Sequence, residues 1–266
     1  MSSYATAPDG TRISYRIDGN GDGPAVVLIH SLAMTKAFWD PVVAILSSDC
    51  KVVSMDCRGH GASDKPAGPY TVELFADDVA QVCKEAGVAR AVVAGASMGG
   101  CVALALASRH LDLVAGLGLF DTTACYGDDA ETAWSERAEK ALENGMGSLV
   151  DFQKTRWFSD SFREADPDTV KACVDVFVAN DLAAYAETCR MLGRCDLRDQ
   201  LSDISVPTGI LVGEEDYATP VAMAQAMQDA IPGAHMQVLP GARHLTPLEV
   251  PDTIAVTLAR LVAHAG

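Results

Sequence analysis

The sequence predicts an α/β fold: a mostly parallel, doubly wound sheet with a helical cap inserted before its seventh strand. Three observations predict it. Short uninterrupted apolar runs alternate with helix-patterned stretches along most of the chain. A region of about eighty residues breaks that alternation with helix-like segments only. One apolar run, Ala91–Ala94, passes through Gly95-Ala-Ser97-Met-Gly99 straight into a helical stretch, a strand–turn–helix junction with a serine at its tip.

The elements follow in order. Ser3–Thr6 and Thr11–Asp18 read as strands joined by the turn Ala7-Pro8-Asp9-Gly10, and residues 19–24 read as a Gly-rich loop. Ala25–Ile29 has no polar residue, as expected of a strand covered on both faces. Lys51–Met55, Ala91–Ala94, Leu113–Phe120, Thr208–Val212 and Met236–Leu239 are further buried-strand candidates. Thr71–Ala86 opens on a capping Thr and carries Leu74, Phe75, Val79, Val82 and Cys83 at helical spacing. Ser97–His110, Pro220–Ile231 and Asp252–Ala263 are the other helices of the alternating part. Within 122–205, Glu131–Glu143, Thr169–Ala179 and Asp181–Leu192 are helical, and Trp134, Phe152, Trp157, Phe158, Phe162, Phe177 and Tyr185 concentrate aromatic residues there. The expected division is therefore a core of 1–121 and 206–266 and a cap of 122–205 over the carboxyl ends of the strands, where open α/β sheets bind ligands.

Bulk properties exclude several function classes. The 266 residues suffice for one large domain. A formal net charge of -16 disfavours nucleic acid and anionic membranes as partners and leaves a small-molecule substrate. The eight cysteines are scattered without a CxxC pair, which predicts reduced structural thiols, a cytoplasmic setting and no metal site. The first ten residues lack the basic and apolar regions of a signal peptide, and no apolar run is long enough for a membrane span. No cofactor fingerprint is present.

A serine alcohol is a weak nucleophile at neutral pH and needs a base, which in turn needs an orienting acid. On such a sheet the order along the chain is Ser, acid, His. The loop after Thr208–Val212 holds Glu214, Glu215 and Asp216; Asp216 lies furthest in and is the favoured acid, with Asp121, at the end of Leu113–Phe120, as competitor. His244, in the loop after the last strand, is the base by elimination: His235 precedes that strand, His264 is near the terminus, His110 ends the elbow helix and His60 sits in a turn. The oxyanion of a tetrahedral intermediate needs two backbone N–H donors. These are expected at Met98, directly after the nucleophile, and at Leu32, in the loop following Ala25–Ile29. For a carboxylate-bearing substrate, Arg156 beside Trp157 is the first anchor, with Arg190 and Arg194 behind it.

Gly-Ala-Ser-Met-Gly-Gly (95–100), Asp56-Cys-Arg-Gly-His-Gly-Ala-Ser63 and Gly241-Ala-Arg-His-Leu245 resemble the α/β-hydrolase superfamily. Ser31-Leu32, Phe38-Trp39-Asp40, Arg58 to Tyr70, Arg156-Trp157-Phe158, Cys195-Asp-Leu-Arg198 and Ile231-Pro-Gly-Ala234 make the chain similar to the 3-oxoadipate enol-lactonases and near relatives over nearly its whole length. The resemblance implies a serine hydrolase that opens a small enol-lactone in aromatic-compound degradation, with Ser31 and Trp157 beside the substrate. Esterases and hydrolases of C–C, amide, imide or thioester bonds use the same triad, and a non-catalytic ligand receptor is the reading from another class. Two departures stand out: His30-Ser31 where the family usually has Asn-Ser, and Asp121-Thr122 where it commonly has Asn-Thr. The second adds a carboxylate, so Asp121 joins the expected substrate-orienting residues.

Overall fold

The computed structural model describes residues 3–19 and 21–265; Asn20, in the loop expected over 19–24, and Met1, Ser2 and Gly266 lie outside the described residues. Its elements are β1 (Ser3–Thr6), β2 (Arg12–Gly19), β3 (Ala25–Ile29), α1 (Asp40–Leu46), β4 (Lys51–Met55), α2 (Val72–Glu85), β5 (Ala91–Ala96), α3 (Met98–Arg109) and β6 (Val114–Phe120). There follow α4 (Ala130–Asn144), α5 (Val150–Trp157), α6 (Asp160–Ala165), α7 (Pro167–Val178) and α8 (Leu182–Gly193). The chain closes with β7 (Thr208–Gly213), α9 (Val221–Ala230), β8 (His235–Leu239), α10 (Thr246–Glu249) and α11 (Pro251–Ala265).

The eight strands form one sheet in the order β1-β2-β4-β3-β5-β6-β7-β8. The β1–β2 and β2–β4 pairs are antiparallel and the remainder parallel. Every residue of β5, β6 and β7 is buried, as their unbroken apolar runs require. α1 packs with α11, and α2 packs with α3; together they bury both faces of the central strands. Thr71 caps α2 by accepting the Leu74 N–H at 3.2 Å. Met236–Leu239 departs from the expected buried strand. β8 pairs only with β7, at the sheet edge, so three of its five residues are exposed.

Between β6 and β7 the described residues form five helices. Their chain ends are tied by an isolated bridge between Cys125 and Asp196 and by the Leu197 N–H donating to the Ala124 carbonyl at 2.9 Å. α4 packs lengthwise on α8. A chain of edge-to-face rings, Phe158–Trp157–Phe177–Tyr185, runs through the insertion.

The cysteines are free, no group of His, Cys, Asp and Glu among the described residues could hold a metal, and no helix there is long and apolar enough to cross a membrane.

Candidate active site

The site begins with a backbone that only certain residues permit. Ser97 lies between β5 and α3 with φ 52° and ψ −117°, a conformation L side chains rarely adopt. The turn is closed so tightly that a Cβ on Gly95 would lie 2.0 Å from the Gly99 carbonyl oxygen, and one on Gly99 would lie 2.1 Å from that of Ile29. Neither contact can be relieved by rotating a side chain, since both partners are backbone. Gly95→Ala is therefore expected to cost about 3 kcal/mol or more of stability, read as a fall in the urea midpoint at unchanged slope. A midpoint within error of the parent would contradict this account of the turn.

The structure brings Ser97, His244 and Asp216 together. His244 Nε2 lies 3.0 Å from Ser97 Oγ, and His244 Nδ1 lies 2.8 Å from Asp216 Oδ2. A carboxylate can only accept, so Nδ1 carries the proton and Nε2 offers its lone pair to the serine O–H. Asp216 is itself held: the Ala218 and Thr219 N–H groups donate to Oδ1 at 2.7 and 3.0 Å, and the Thr219 hydroxyl donates to Oδ2 at 2.9 Å. Burial pushes this carboxyl up, but the His244 contact and those N–H donors outweigh it and hold it below the usual carboxylate range. All three side chains are buried.

The loop after β3 is set by a second histidine. The Cys57 N–H donates to His30 Nε2 at 3.0 Å, so His30 carries its proton on Nδ1 and donates it to the Ser31 carbonyl at 2.7 Å. Burial lowers the His30 pKa and keeps the ring neutral in that role. This fixes the turn from Ser31 to Met34, which places Ser31 and Leu32 on the wall of the Ser97 cavity. Met98 is the first residue of α3, where backbone N–H groups have no partner within the helix.

The cavity, about 50 Å³, is lined by Ser97, His244, Ser31 and Leu32 from the sheet side and by Tyr126, Trp134, Arg137, Gln153, Arg156 and Trp157 from the insertion. A larger cavity of about 670 Å³ lies around Pro207, Met236 and Arg260, on residues from the other ends of β7 and β8, away from the triad residues. Arg156 donates to the Tyr217 carbonyl at 2.9 Å and stacks on Phe152. Arg190 and Arg194 are elsewhere: Arg190 pairs with Glu139 and Glu187, and Arg194 donates to the Tyr70 carbonyl. Arg137, which sequence reasoning did not single out, lines the cavity; its place on the exposed-looking helix pattern of 131–143 gave no signal of that.

Asp121 requires a correction. Its carboxylate was expected to orient substrate, or to compete with Asp216 for His244. It is fully buried, accepts from the Gly213 N–H at 3.1 Å and from the Thr246 N–H and hydroxyl at 2.9 and 2.6 Å, and is absent from the cavity wall. It ties the start of the Asp216 loop and the start of α10 to the end of β6. Burial first, and the nearby Asp216 charge second, push its carboxyl well above the ordinary range.

Arg243, next to His244, is ion-paired to Glu215 and Asp160 and donates to the Thr155 and Phe158 carbonyls. The His244 and Leu245 N–H groups donate to the Trp157 carbonyl at 3.1 and 3.0 Å. The 155–160 corner of the insertion is thereby fastened to the histidine loop, and Trp157 with it.

Comparison with known proteins fits this geometry. Residues 26–257 match the family model described as the alpha/beta hydrolase family. The chain is 32% identical over 251 residues to 3-oxoadipate enol-lactonase 1 of Acinetobacter baylyi, covering 94% of this chain and 93% of that protein. It superposes with a TM-score of 0.93 on the enol-lactonase from Burkholderia xenovorans LB400 at 36% identity, covering 98% and 100% of the two chains. A thermophilic esterase from Thermogutta terrifontis, with malate bound, also gives 0.93, at 27% identity over 100% and 99% of the chains. A match over most of the chain in both sequence and backbone leaves one conclusion: the protein belongs to the α/β-hydrolase family of enzymes.

Proposed function

We propose that the protein is a serine hydrolase that opens a small, carboxylate-bearing lactone or ester through an acyl-enzyme, with residues 122–205 serving as a cap over the site. The observation that carries the reading is the continuous hydrogen-bond relay from Asp216 through His244 to Ser97, opening into a cavity whose wall holds arginine but no acid. Similarity to an enol-lactonase at 32% identity supports the lactone as the favoured ester.

In this mechanism His244 Nε2 takes the Ser97 proton as Oγ attacks the carbonyl carbon, and the carbonyl oxygen becomes an oxyanion held by the Leu32 and Met98 N–H groups. Collapse breaks the acyl–oxygen bond, and the imidazolium returns the proton to the departing enolate or alkoxide. Water, deprotonated by the same histidine, then attacks the acyl-serine, releasing the acid and restoring Ser97. Asp216 stabilises the imidazolium in both halves.

The test is a fluorophosphonate label together with turnover of a panel of lactones, short esters and amides. Labelling at Ser97 with highest kcat/KM on lactones is the expected result. Labelling with no turnover of any oxygen ester would remove the lactone and ester reading. Arg156→Gln is expected to lower kcat/KM on a carboxylate-bearing ester by about 30-fold, the worth of a charge-assisted hydrogen bond, and on its methyl ester by under about threefold. Equal losses on the two substrates would remove Arg156 from carboxylate binding.

A further inference from the structure

The chain carries a large excess of acids, and most of its arginines use them: Arg58 pairs with Asp78, Arg109 with Asp77, Arg198 with Asp196. Arg137 and Arg156 are exceptions. Neither has an ion pair among the described residues, and both line the cavity that contains Ser97 and His244. No Asp or Glu lines that cavity. Two half-buried like charges in one small pocket repel; burial first, and the Arg137 charge second, lower the Arg156 pKa. Asp216 attracts Arg156 but is committed to His244 and the Thr219 turn. Placing two unpaired guanidinium groups where water is scarce costs free energy that a ligand of opposite charge recovers.

The two groups are also held apart by separate supports. Arg137 projects from α4, donates from Nε to the Tyr185 hydroxyl of α8 at 2.7 Å, and stacks its guanidinium on Trp134 with 4.9 Å to the ring centroid. That leaves both of its terminal nitrogens without a protein acceptor among the described residues. Arg156 projects from α5 and is steadied by the Tyr217 carbonyl in the acid loop. Each presents its own fork of donors, the geometry that matches a carboxylate.

We propose that the pocket is a two-anion site: the preferred substrate carries two carboxylates besides the scissile carbonyl, one received by Arg156 and the other by Arg137. The inference rests on the hydrolase reading only for the carbonyl that Ser97 attacks. The second anion makes Arg137 the residue that separates such substrates from singly charged or neutral esters.

Binding to the Ser97→Ala protein separates the two questions. Titration calorimetry at low ionic strength would compare pentanoate with glutarate, which have equal chain length and differ by one carboxylate. Glutarate is expected to bind about tenfold tighter or more. Arg137→Gln is expected to abolish that advantage while changing pentanoate affinity by less than about twofold, and Arg156→Gln to weaken both ligands. Arg137→Lys, which keeps the charge, should restore part of the advantage and covers the case in which the glutamine variant does not fold, as judged by circular dichroism. No glutarate advantage in the parent overturns the proposal. So does an equal loss of both ligands in Arg137→Gln, which would mean one carboxylate shared by the two arginines. Turnover of the lactone and ester panel, charged members included, by the wild-type protein is the independent readout. Turnover without a glutarate advantage sinks the two-anion site alone, and a glutarate advantage without turnover sinks the hydrolase reading alone.

Discussion

Replacing Ser97 with alanine is expected to lower kcat/KM by about 10⁴-fold or more, because the residual rate comes only from binding and oxyanion stabilisation. Replacing it with glycine should abolish activity equally and yet give the more stable protein. The backbone at 97 sits at φ 52° and ψ −117°, which alanine tolerates no better than serine and glycine adopts without strain. Glycine should therefore exceed alanine at this position by about 1 kcal/mol in urea unfolding. The pair of variants separates chemistry from conformation: both lack the nucleophile, and they differ in what the elbow costs. If alanine retained activity within tenfold, Ser97 would not be the nucleophile. If glycine were the less stable variant, the elbow would not be strained.

Much of this was legible in the residues. The elbow announces itself because a strand, a two-glycine turn and a helix each need distinct residue types within a dozen positions. β3 and β4 have the boundaries read from the sequence: β3 is wholly apolar, and β4 is largely so, with a buried Ser54 as its one polar interior residue. What was not legible has physical causes. α1 spans seven residues and α6 six, under two turns each, too short for helical periodicity to rise above chance. β8 reads as apolar, but its exposure depends on having a neighbour on one side only, which no local pattern encodes. Arg137 is invisible for the same kind of reason. On α4 it looks like any solvent-facing arginine, and only the packing of α4 on α8 turns it toward Ser97. Asp121 misled in the opposite sense: the end of a strand at the site edge is where catalytic acids lie, but its side chain turns beneath the loops and ties them together.

The two aspartates under His244 should respond to the same substitution in opposite ways. Asp216→Asn is expected to cost about 10⁴-fold in kcat/KM. Oδ1 already accepts the Ala218 and Thr219 N–H groups, so the amide oxygen stays there and the NH₂ replaces Oδ2. An NH₂ donates to His244 Nδ1, which forces the ring proton onto Nε2, where it meets Ser97 Oγ and cannot accept the serine proton. Asp121→Asn leaves the tautomer of His244 alone. Burial and the Asp216 charge favour the protonated form of Asp121, and a carboxylic acid and an amide share one acceptor oxygen and one donor. The amide keeps the Gly213 N–H bond and can donate to the Thr246 hydroxyl, but its NH₂ then faces the buried Thr246 N–H, so about 2 kcal/mol of stability should go and kcat/KM should stay within about threefold. Side-by-side kinetics and urea unfolding of the two variants read both numbers. A thousandfold loss in Asp121→Asn would make it the working acid and Asp216 a loop anchor, reversing their assigned roles.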